Sequence, residues 1–351
     1  MNNIKKLCEK FYNSKKLSLE EFKFLMNLDD PSDLYEYARN LSLKNFGNKI
    51  YIRGLIEIST YCKNNCYYCG LRNANANVKR VRLSKEEILK RVEYAKRFNI
   101  NTIVLQGGED DFYNISYLEE IIREIKKNHV GTALTLSLGE RSIDDLKRLK
   151  EIGADRYLLR HETNTKSHYE KLHPPSMSFE NRKNTIFKLK EMGFQTGCGM
   201  MVGSPFQTLE NLYEDLNLIL ELKPQMVGLG PFIPNHDTPF RDYPRGKLTD
   251  VLKILSIVRI ANERVLLPAT TALGSIHETG RELGILAGAN VLMPNLGDEK
   301  LRKNYTLYDN KIGTQIENSD DFIGLSEKLK KIGYEISTSR GDYERKKENN
   351  V

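Results

Sequence analysis

An α/β chain that closes into a full (β/α)8 barrel, with a helical extension before it and a short extension after it, is what this sequence predicts, on three observations. From about residue 50, short β-rich runs alternate with amphipathic segments eight times, the order of a parallel barrel rather than of an open sheet. The units "EIGADRY", "EMGFQTG" and "LAGANVL" place a glycine at a helix end just before the next β-rich run. The chain has 351 residues, and such a barrel takes ~250, so residues remain at both ends.

The elements follow in chain order. Residues 1–48 read as helices: Ser18 and Glu21 have the S-x-x-E spacing of a capping box before "FKFLMNL", and Pro31 suits the first turn of the next helix. Residues 49–296 carry the barrel. Its strands read from "KIYIRGLIEIS", "NTIVLQ", "TALTLSL", "DRYLLR", "QTGCGMM", "QMVGLG", "RVLLPATT" and "ANVLMPN". Between them lie helices such as "SKEEILKRVEYAKRF", "SYLEEIIREIKKN", "SIDDLKRLKEIG" and "TLENLYEDLNLILEL", several opened by a Ser or Thr cap. Residues 297–351 form a C-terminal extension. Its end, "RGDYERKKENNV", has almost nothing apolar to bury and reads as a frayed tail.

The two faces of the strands differ. Ile50, Ile52, Ile56 and Ile58 share one side of the first strand, and Arg53, Leu55, Glu57 and Ser59 share the other. The third strand puts Thr135 with Ser137, and the fourth puts Arg156 with Leu158, Arg160 and Glu162. The apolar faces must meet the helices, so the polar ones point inward. Packed barrels fill their interior with Val, Ile and Leu, so this interior calls either for internal ion pairs, such as Arg53 with Glu57, or for a wet cavity around a charged ligand; agreement among several strands favours the cavity.

Composition narrows the function classes. The formal charge of +7, from 54 Lys and Arg against 47 Asp and Glu, is dispersed along the chain and mainly concerns solubility. No basic stripe with interleaved aromatics suggests a nucleic-acid partner. No opening apolar run reads as a signal peptide, and no stretch approaches the ~18 apolar residues of a membrane span, so a cytoplasmic protein without membrane partners is expected. There are five cysteines, an odd number, and three of them crowd one loop, which does not look like a disulfide framework.

That loop, "STYCKNNCYYCGLR", follows the first strand directly, on the barrel face where active sites form. Cys62, Cys66 and Cys69 have C-x3-C-x2-C spacing. Zinc would need a fourth ligand that the loop does not contain. A redox pair would leave one thiol idle. A four-iron cluster on three thiolates uses every cysteine and leaves one iron open to substrate or cofactor. Of the three readings this is the one favoured.

With an aromatic residue, Tyr68, before the third cysteine, the loop resembles the signature of the radical S-adenosylmethionine (SAM) superfamily, and the likeness runs from about residue 50 to the end of the barrel. The resemblance implies that the open iron chelates SAM and that the reduced cluster cleaves it to a 5'-deoxyadenosyl radical. It also implies further parts. "QGGED" after the second strand looks like the superfamily's Gly-Gly-Glu element, with Gly107, Gly108 and Glu109 facing the methionyl ammonium. Glu162 stands where a carboxylate would take the ribose hydroxyls, and Arg182 or Ser137 where the methionyl carboxylate would be held. As an ordinary alternative, Arg182 and Glu180 would pair on a solvated helix and Ser137 would cap a strand end.

The stretches "STYCKNNCYYCGLRNANANVKR", "TIVLQGGED", "LTLSLGE", "GADRYLLRHETN", "MVGSPFQT", "MVGLGPFIPNHDTP" and "LPATTALG" together resemble the HydE family of FeFe-hydrogenase maturases, on the biotin synthase-like branch of the superfamily. That likeness spans nearly the whole chain. It implies SAM contacts at Tyr68, Gln106, Ser137, Glu162, Arg182 and Met201. It implies a deeper anion-holding pocket at Thr135, Arg156, Thr270, Thr271, Met293 and Tyr305, which inward-facing Arg53 would join. The implied substrate is an iron complex carrying carbon monoxide, cyanide and cysteine; the implied partners are other hydrogenase maturases and an electron donor such as a ferredoxin or flavodoxin. Some members bind a second cluster through C-terminal cysteines. Nothing after Cys198 is a cysteine here, so one 4Fe-4S cluster is expected, with Cys8 and Cys198 as buried thiols. The alternatives are a lysine mutase like methylornithine synthase, and a non-catalytic carrier of iron-sulfur or iron-carbonyl cargo.

Overall fold

The protein is described from a computed structural model, in which residues 3–297, 299–312 and 319–344 are defined. Six parallel strands form one continuous ladder, opened by Lys49–Ile52 running on into Gly54–Ser59. Thr102–Gly107, Ala133–Ser137, Arg156–Leu158, Gln195–Cys198 and Met226–Val227 follow in that order. The ring then closes through shorter contacts. Met226 pairs with Leu266, Pro268 with Val291, and Leu55 with Asn295, while Val291–Leu292 pairs with Tyr51 and Ile52. The hydrogen bonds Leu266 N to Gln225 O (3.0 Å), Ala269 N to Val291 O (2.9 Å) and Arg53 N to Leu292 O (2.9 Å) complete the circuit. The seventh strand, around residues 266–268, is the thinnest stave, because Pro268 has no N–H to give the ladder.

The outward faces build the main core. Ile56, Ile103, Leu105, Leu134, Leu136 and Tyr157 are buried with helix residues such as Ile121, Ile125, Leu146, Leu149, Ile186 and Leu189. The N-terminal helices Asn3–Ser14, Leu19–Met26 and Ser32–Phe46 cover one flank of the molecule, and the Ser18–Glu21 capping box forms as its spacing requires. Helix Leu248–Ala261 lies between them and the barrel, so every residue from Val251 to Ala261 is buried. Its two cations are consumed locally. Lys253 Nζ donates to the carbonyls of Met26 (2.8 Å) and Leu28 (2.7 Å), and the Arg259 guanidinium takes the carbonyls of Gly288, Glu263 and Val265.

The C-terminal segment departs from the sequence expectation. Glu335–Ser337 adds a parallel strand to the lower half of the first barrel strand, with Lys49 opposite Glu335 and Tyr51 opposite Ser337. Residues 340–343, expected to fray, cross the barrel floor instead. Arg156 Nη2 donates to Arg340 O (2.9 Å) and to Asp342 Oδ1 (2.7 Å), Gln195 Nε2 also reaches Asp342 Oδ1 (2.9 Å), and Tyr343 N donates to Gln195 Oε1 (3.0 Å). Gly341 has φ +58, and a Cβ there would sit 2.8 Å from the Tyr51 ring. A segment poor in apolar residues is ordered here because its polar groups meet buried partners that need them. The remainder of the expected tail, residues 345–351, lies outside the described residues.

Candidate active site

The three cysteines leave the C-terminal end of the first strand on a loop held mainly by side-chain to backbone bonds. Arg80 is the main clamp: Nη1 donates to Leu71 O (2.9 Å), and Nη2 to Arg72 O (2.7 Å) and Asn75 O (3.1 Å). Below it, Asp110 accepts from Ser59 Oγ (2.6 Å) and from both arms of Arg82 (2.8 Å each), whose guanidinium lies 3.8 Å over the Tyr61 ring. Burial works against the Asp110 charge, but the Arg82 fork and Ser59 outweigh it and hold the carboxyl below its usual range. Neither Arg80 nor Arg82 was legible in the sequence, where each is one more cation in "NVKRVR".

The residues present fit an iron-sulfur cluster. Burial pushes the Cys69 thiol up to about 12 and raises Cys62 and Cys66, and neighbouring thiols raise Cys66 and Cys69 further. Such thiols stay protonated unless a cation makes them thiolates, so iron binding here would release protons. Gly108 forms the back of the cradle: a Cβ on it would lie 2.4 Å from Tyr61 O and 2.5 Å from Cys62 Cβ. Among the described residues, no three His, Cys, Asp or Glu side chains converge closely enough to grip a single metal ion. Cys8 and Cys198 are buried elsewhere in the core, and neither is in a disulfide.

The positions expected to hold SAM ring this loop. Tyr68 donates its hydroxyl to His173 Nε2 (3.1 Å). Burial lowers the His173 pKa to about 3, and its Nδ1 bonds to Tyr169 O (3.0 Å), which sets the neutral Nδ1–H tautomer. Tyr67, Tyr68, Leu172, Met201, Phe232 and Phe240 form one apolar cluster beside it, set apart from the main core. Gln106 and Ser137 stand opposite each other in register, and Gln106 Nε2 reaches Tyr305 Oη (3.3 Å). Glu162 sits at φ +62 with its carboxylate accepting from Arg160 Nε (2.9 Å) and Nη2 (3.1 Å). Arg182 does not pair with Glu180, which goes to Lys166. It turns inward, donating to Arg160 O (3.0 Å), bonding Glu140 and lying 3.6 Å from Glu109 Oε1. Glu109 Oε1 also accepts from Glu140 N (2.8 Å), so Glu109 serves the frame of the site as well as facing it.

Deeper in the lumen the groups expected to hold an anion do not form the simple Arg53–Glu57 pair. Glu57 accepts from Asn295 Nδ2 (2.8 Å) and pairs with Lys311, whose Nζ lies 4.7 Å over the Tyr305 ring. Among the described residues the Arg53 side chain makes one hydrogen bond, Nη1 to Met226 Sδ (3.0 Å). Its Nε and Nη2, Arg156 Nε, Thr135 Oγ1 and Thr270 Oγ1 are buried without a hydrogen-bond partner among the described residues. Arg156 differs from the expectation in part, because its Nη2 is already committed to the C-terminal segment. Met293 joins Met226, Leu266, Val291 and Tyr343 in an apolar floor, and Thr271 opens helix Thr271–Ile276.

Residues 305–312 strap the mouth. Leu307 O accepts from Gly70 N (2.9 Å), Asp309 takes His236 N (2.9 Å) and His236 Nδ1 (2.7 Å), and Asp237 holds Asn77 of the cysteine loop (2.7 Å). Asp309, and then Asp237, raise the His236 pKa above its usual 6.5. A raised folded pKa means that the bond is at full strength below about 6.5 and is lost as pH rises through the folded value. In an NMR titration the His236 midpoint is expected above that of a free histidine and to fall in Asp309→Asn; an unshifted midpoint would remove the latch.

The comparisons with known proteins agree with this geometry. Residues 56–219 match the family described as the radical SAM superfamily. The chain is 46% identical over 279 residues to the FeFe hydrogenase maturase subunit HydE of Thermotoga maritima, covering 80% of this chain and 79% of that protein. It is 28% identical over 338 residues to 3-methylornithine synthase of Methanosarcina acetivorans, covering 95% and 94%. Among solved structures, methylornithine synthase superposes with TM-score 0.80 at 25% identity over 94% of this chain and 97% of that one. The maturase HydG superposes with TM-score 0.81 at 22% identity over 95% and 76%, a likeness of fold. No described helix is long and apolar enough to cross a membrane. The cysteine loop at the mouth of the closed barrel, its three half-buried thiols and a 46% identity over four-fifths of the chain lead to one conclusion: this chain belongs to the radical SAM superfamily and, within it, to the HydE family of FeFe-hydrogenase maturases.

Proposed function

We propose that this chain acts on an anionic iron complex carrying cysteine, carbon monoxide and cyanide, in assembly of the diiron site of FeFe hydrogenase. When bound, one 4Fe-4S cluster on Cys62, Cys66 and Cys69 supplies the electron that cleaves SAM to a 5'-deoxyadenosyl radical. Tyr68 and Met201 would flank the adenine, Glu162 would take the ribose, and Arg182 with Gln106, Ser137 and the Gly107–Gly108–Glu109 turn would orient the methionyl end. Orientation and exclusion of water by the barrel wall are what these residues contribute. The observation that supports the substrate reading is the set of buried donors on Arg53, Arg156, Thr135 and Thr270 that have no partner among the described residues and that a carboxylate or other anion would satisfy. Thr271, Met293 and Tyr305 would complete that pocket.

The expected setting is cytoplasmic, with an electron donor such as a ferredoxin or flavodoxin, transient contact with other maturases, and neither nucleic acid nor membrane. A lysine mutase would share the SAM site, and the higher identity to HydE supports the maturase over it. A passive cargo carrier would need the cysteines but not the buried Arg182 with its two carboxylates. Anaerobic incubation of reconstituted protein with dithionite and SAM should release 5'-deoxyadenosine. Restoration of hydrogenase activity in a strain lacking HydE then separates the maturase from the mutase, for which methylornithine would appear from added lysine. Thr270→Val keeps shape and removes the buried hydroxyl; it should leave SAM cleavage unchanged and weaken substrate-dependent turnover about tenfold, the worth of one hydrogen bond to a charged group. Equal loss in both assays would place Thr270 outside the substrate pocket.

A further inference from the structure

The floor of the lumen holds more positive charge than its own partners cancel. Arg53 and Arg156 are 4% and 0% exposed. Among the described residues the carboxylate whose charge acts on both is Asp342, bonded to Arg156 at 2.7 Å, with its other oxygen 3.0 Å from Arg340. The remaining ions nearby are occupied: Glu57 belongs to Lys311 and Asn295 higher in the lumen, and Asp155 lies between Lys126 and Arg340 on the solvent side. Two buried guanidiniums therefore face one shared carboxylate, with two nitrogens of Arg53 and one of Arg156 lacking a hydrogen-bond partner among the described residues. An uncompensated buried charge is costly unless something arrives to balance it.

We propose that Asp342, carried on the C-terminal segment that crosses the barrel floor, determines the charge class of anion the lumen accepts: by cancelling one of two buried arginines it leaves a single positive charge, suited to a monoanionic group. This rests on the reading of the lumen as an anion pocket. The placement is specific to the segment's path. Gly341 turns at φ +58 against Tyr51, the Arg340 carbonyl takes Thr102 Oγ1 (2.7 Å), and Gln195 holds both Asp342 and the Tyr343 backbone. Asp342 is thus a specificity-determining residue supplied from outside the eight strands, acting through Arg156 on what the lumen binds.

The test is calorimetric titration of cluster-loaded, SAM-bound protein with acetate and with malonate, a monoanion and a dianion of similar size. Arg53→Met identifies the lumen part of the signal by abolishing it. Asp342→Asn keeps an oxygen for Arg156 and Gln195 while removing the charge, and it is expected to shift the malonate-to-acetate affinity ratio toward malonate by at least about tenfold, as one more unpaired charge at an effective dielectric of ~20 requires. A merely structural Asp342 would weaken both anions alike and leave the ratio where it was, which overturns the proposal. If Asp342→Asn does not fold, Asp342→Ala in the full-length chain removes the same carboxylate and should move the ratio the same way. Wild-type protein that binds neither anion would remove the anion pocket itself. Binding by wild type with an unmoved ratio in the variants would remove only the role of Asp342.

Discussion

Cys66→Ser should yield a reconstituted protein without the visible absorption of an iron-sulfur cluster, with iron near background and 5'-deoxyadenosine formation reduced on the order of a thousandfold, about 4 kcal/mol of barrier. Cys66 is the central of the three thiols in the loop, and its half-buried sulfur lies 3.6 Å from Met177 Sδ. Burial and the other two thiols already raise its pKa, so the site forms a thiolate when iron provides the compensating charge. A serine hydroxyl, far less acidic, would leave a second iron without a protein ligand. Cys198→Ala is the matched control. Cys198 is fully buried in the core on the fifth strand, so the change costs packing alone and should leave iron content and SAM cleavage near wild type. Full cluster loading in Cys66→Ser would show that the loop is not the cluster site.

Arg182→Met should be the most damaging change away from the cysteines. The side chain is about one-tenth exposed, between Glu140 and Glu109, and its Nη1 holds the Arg160 carbonyl next to the loop that carries Glu162. Removing the cation leaves two carboxylates with their attraction gone and part of their desolvation still imposed, a loss of about 3–5 kcal/mol when one partner of a buried pair is deleted. Thermal unfolding should therefore move down by several degrees. SAM affinity should fall about tenfold to a hundredfold if Arg182 also holds the methionyl carboxylate. Arg182→Lys retains charge but not the fork, and should recover stability more than affinity. Loss of stability with unchanged SAM affinity would confine Arg182 to the frame of the site.

Several of these features were legible because they depend on spacing. The C-x3-C-x2-C loop, the capping box at Ser18 and Glu21, and the period-2 faces that turn Arg53, Thr135 and Arg156 inward need only local geometry, and the structure has all of them. Other features have no local signal. Arg80 is one cation among 54 Lys and Arg until the fold brings three carbonyls of the cysteine loop to it. His173 reads as an ordinary residue after a helix until burial and Tyr169 fix its tautomer against Tyr68. Residues 340–343 run against the expectation of fraying, which rests on low apolar content as the usual companion of disorder. That rule has no way of registering the unsatisfied partners waiting at the barrel floor.

Sequence by itself determined the order of strands and helices, which residues face the lumen, the three-thiol loop and its place above the first strand, because a strand's alternation and a helix's caps are set within a few residues. Tertiary structure decided where the lumen charges go. Lys311 reaches Glu57 across 254 residues, and Asp342 reaches Arg156 across 186. Pairing of buried charges depends on which distant groups share a dry space. Only closure of the barrel, with the mouth strap above and the C-terminal segment below, creates that space, so only the fold could leave Arg53 in it with no carboxylate bonded to it among the described residues.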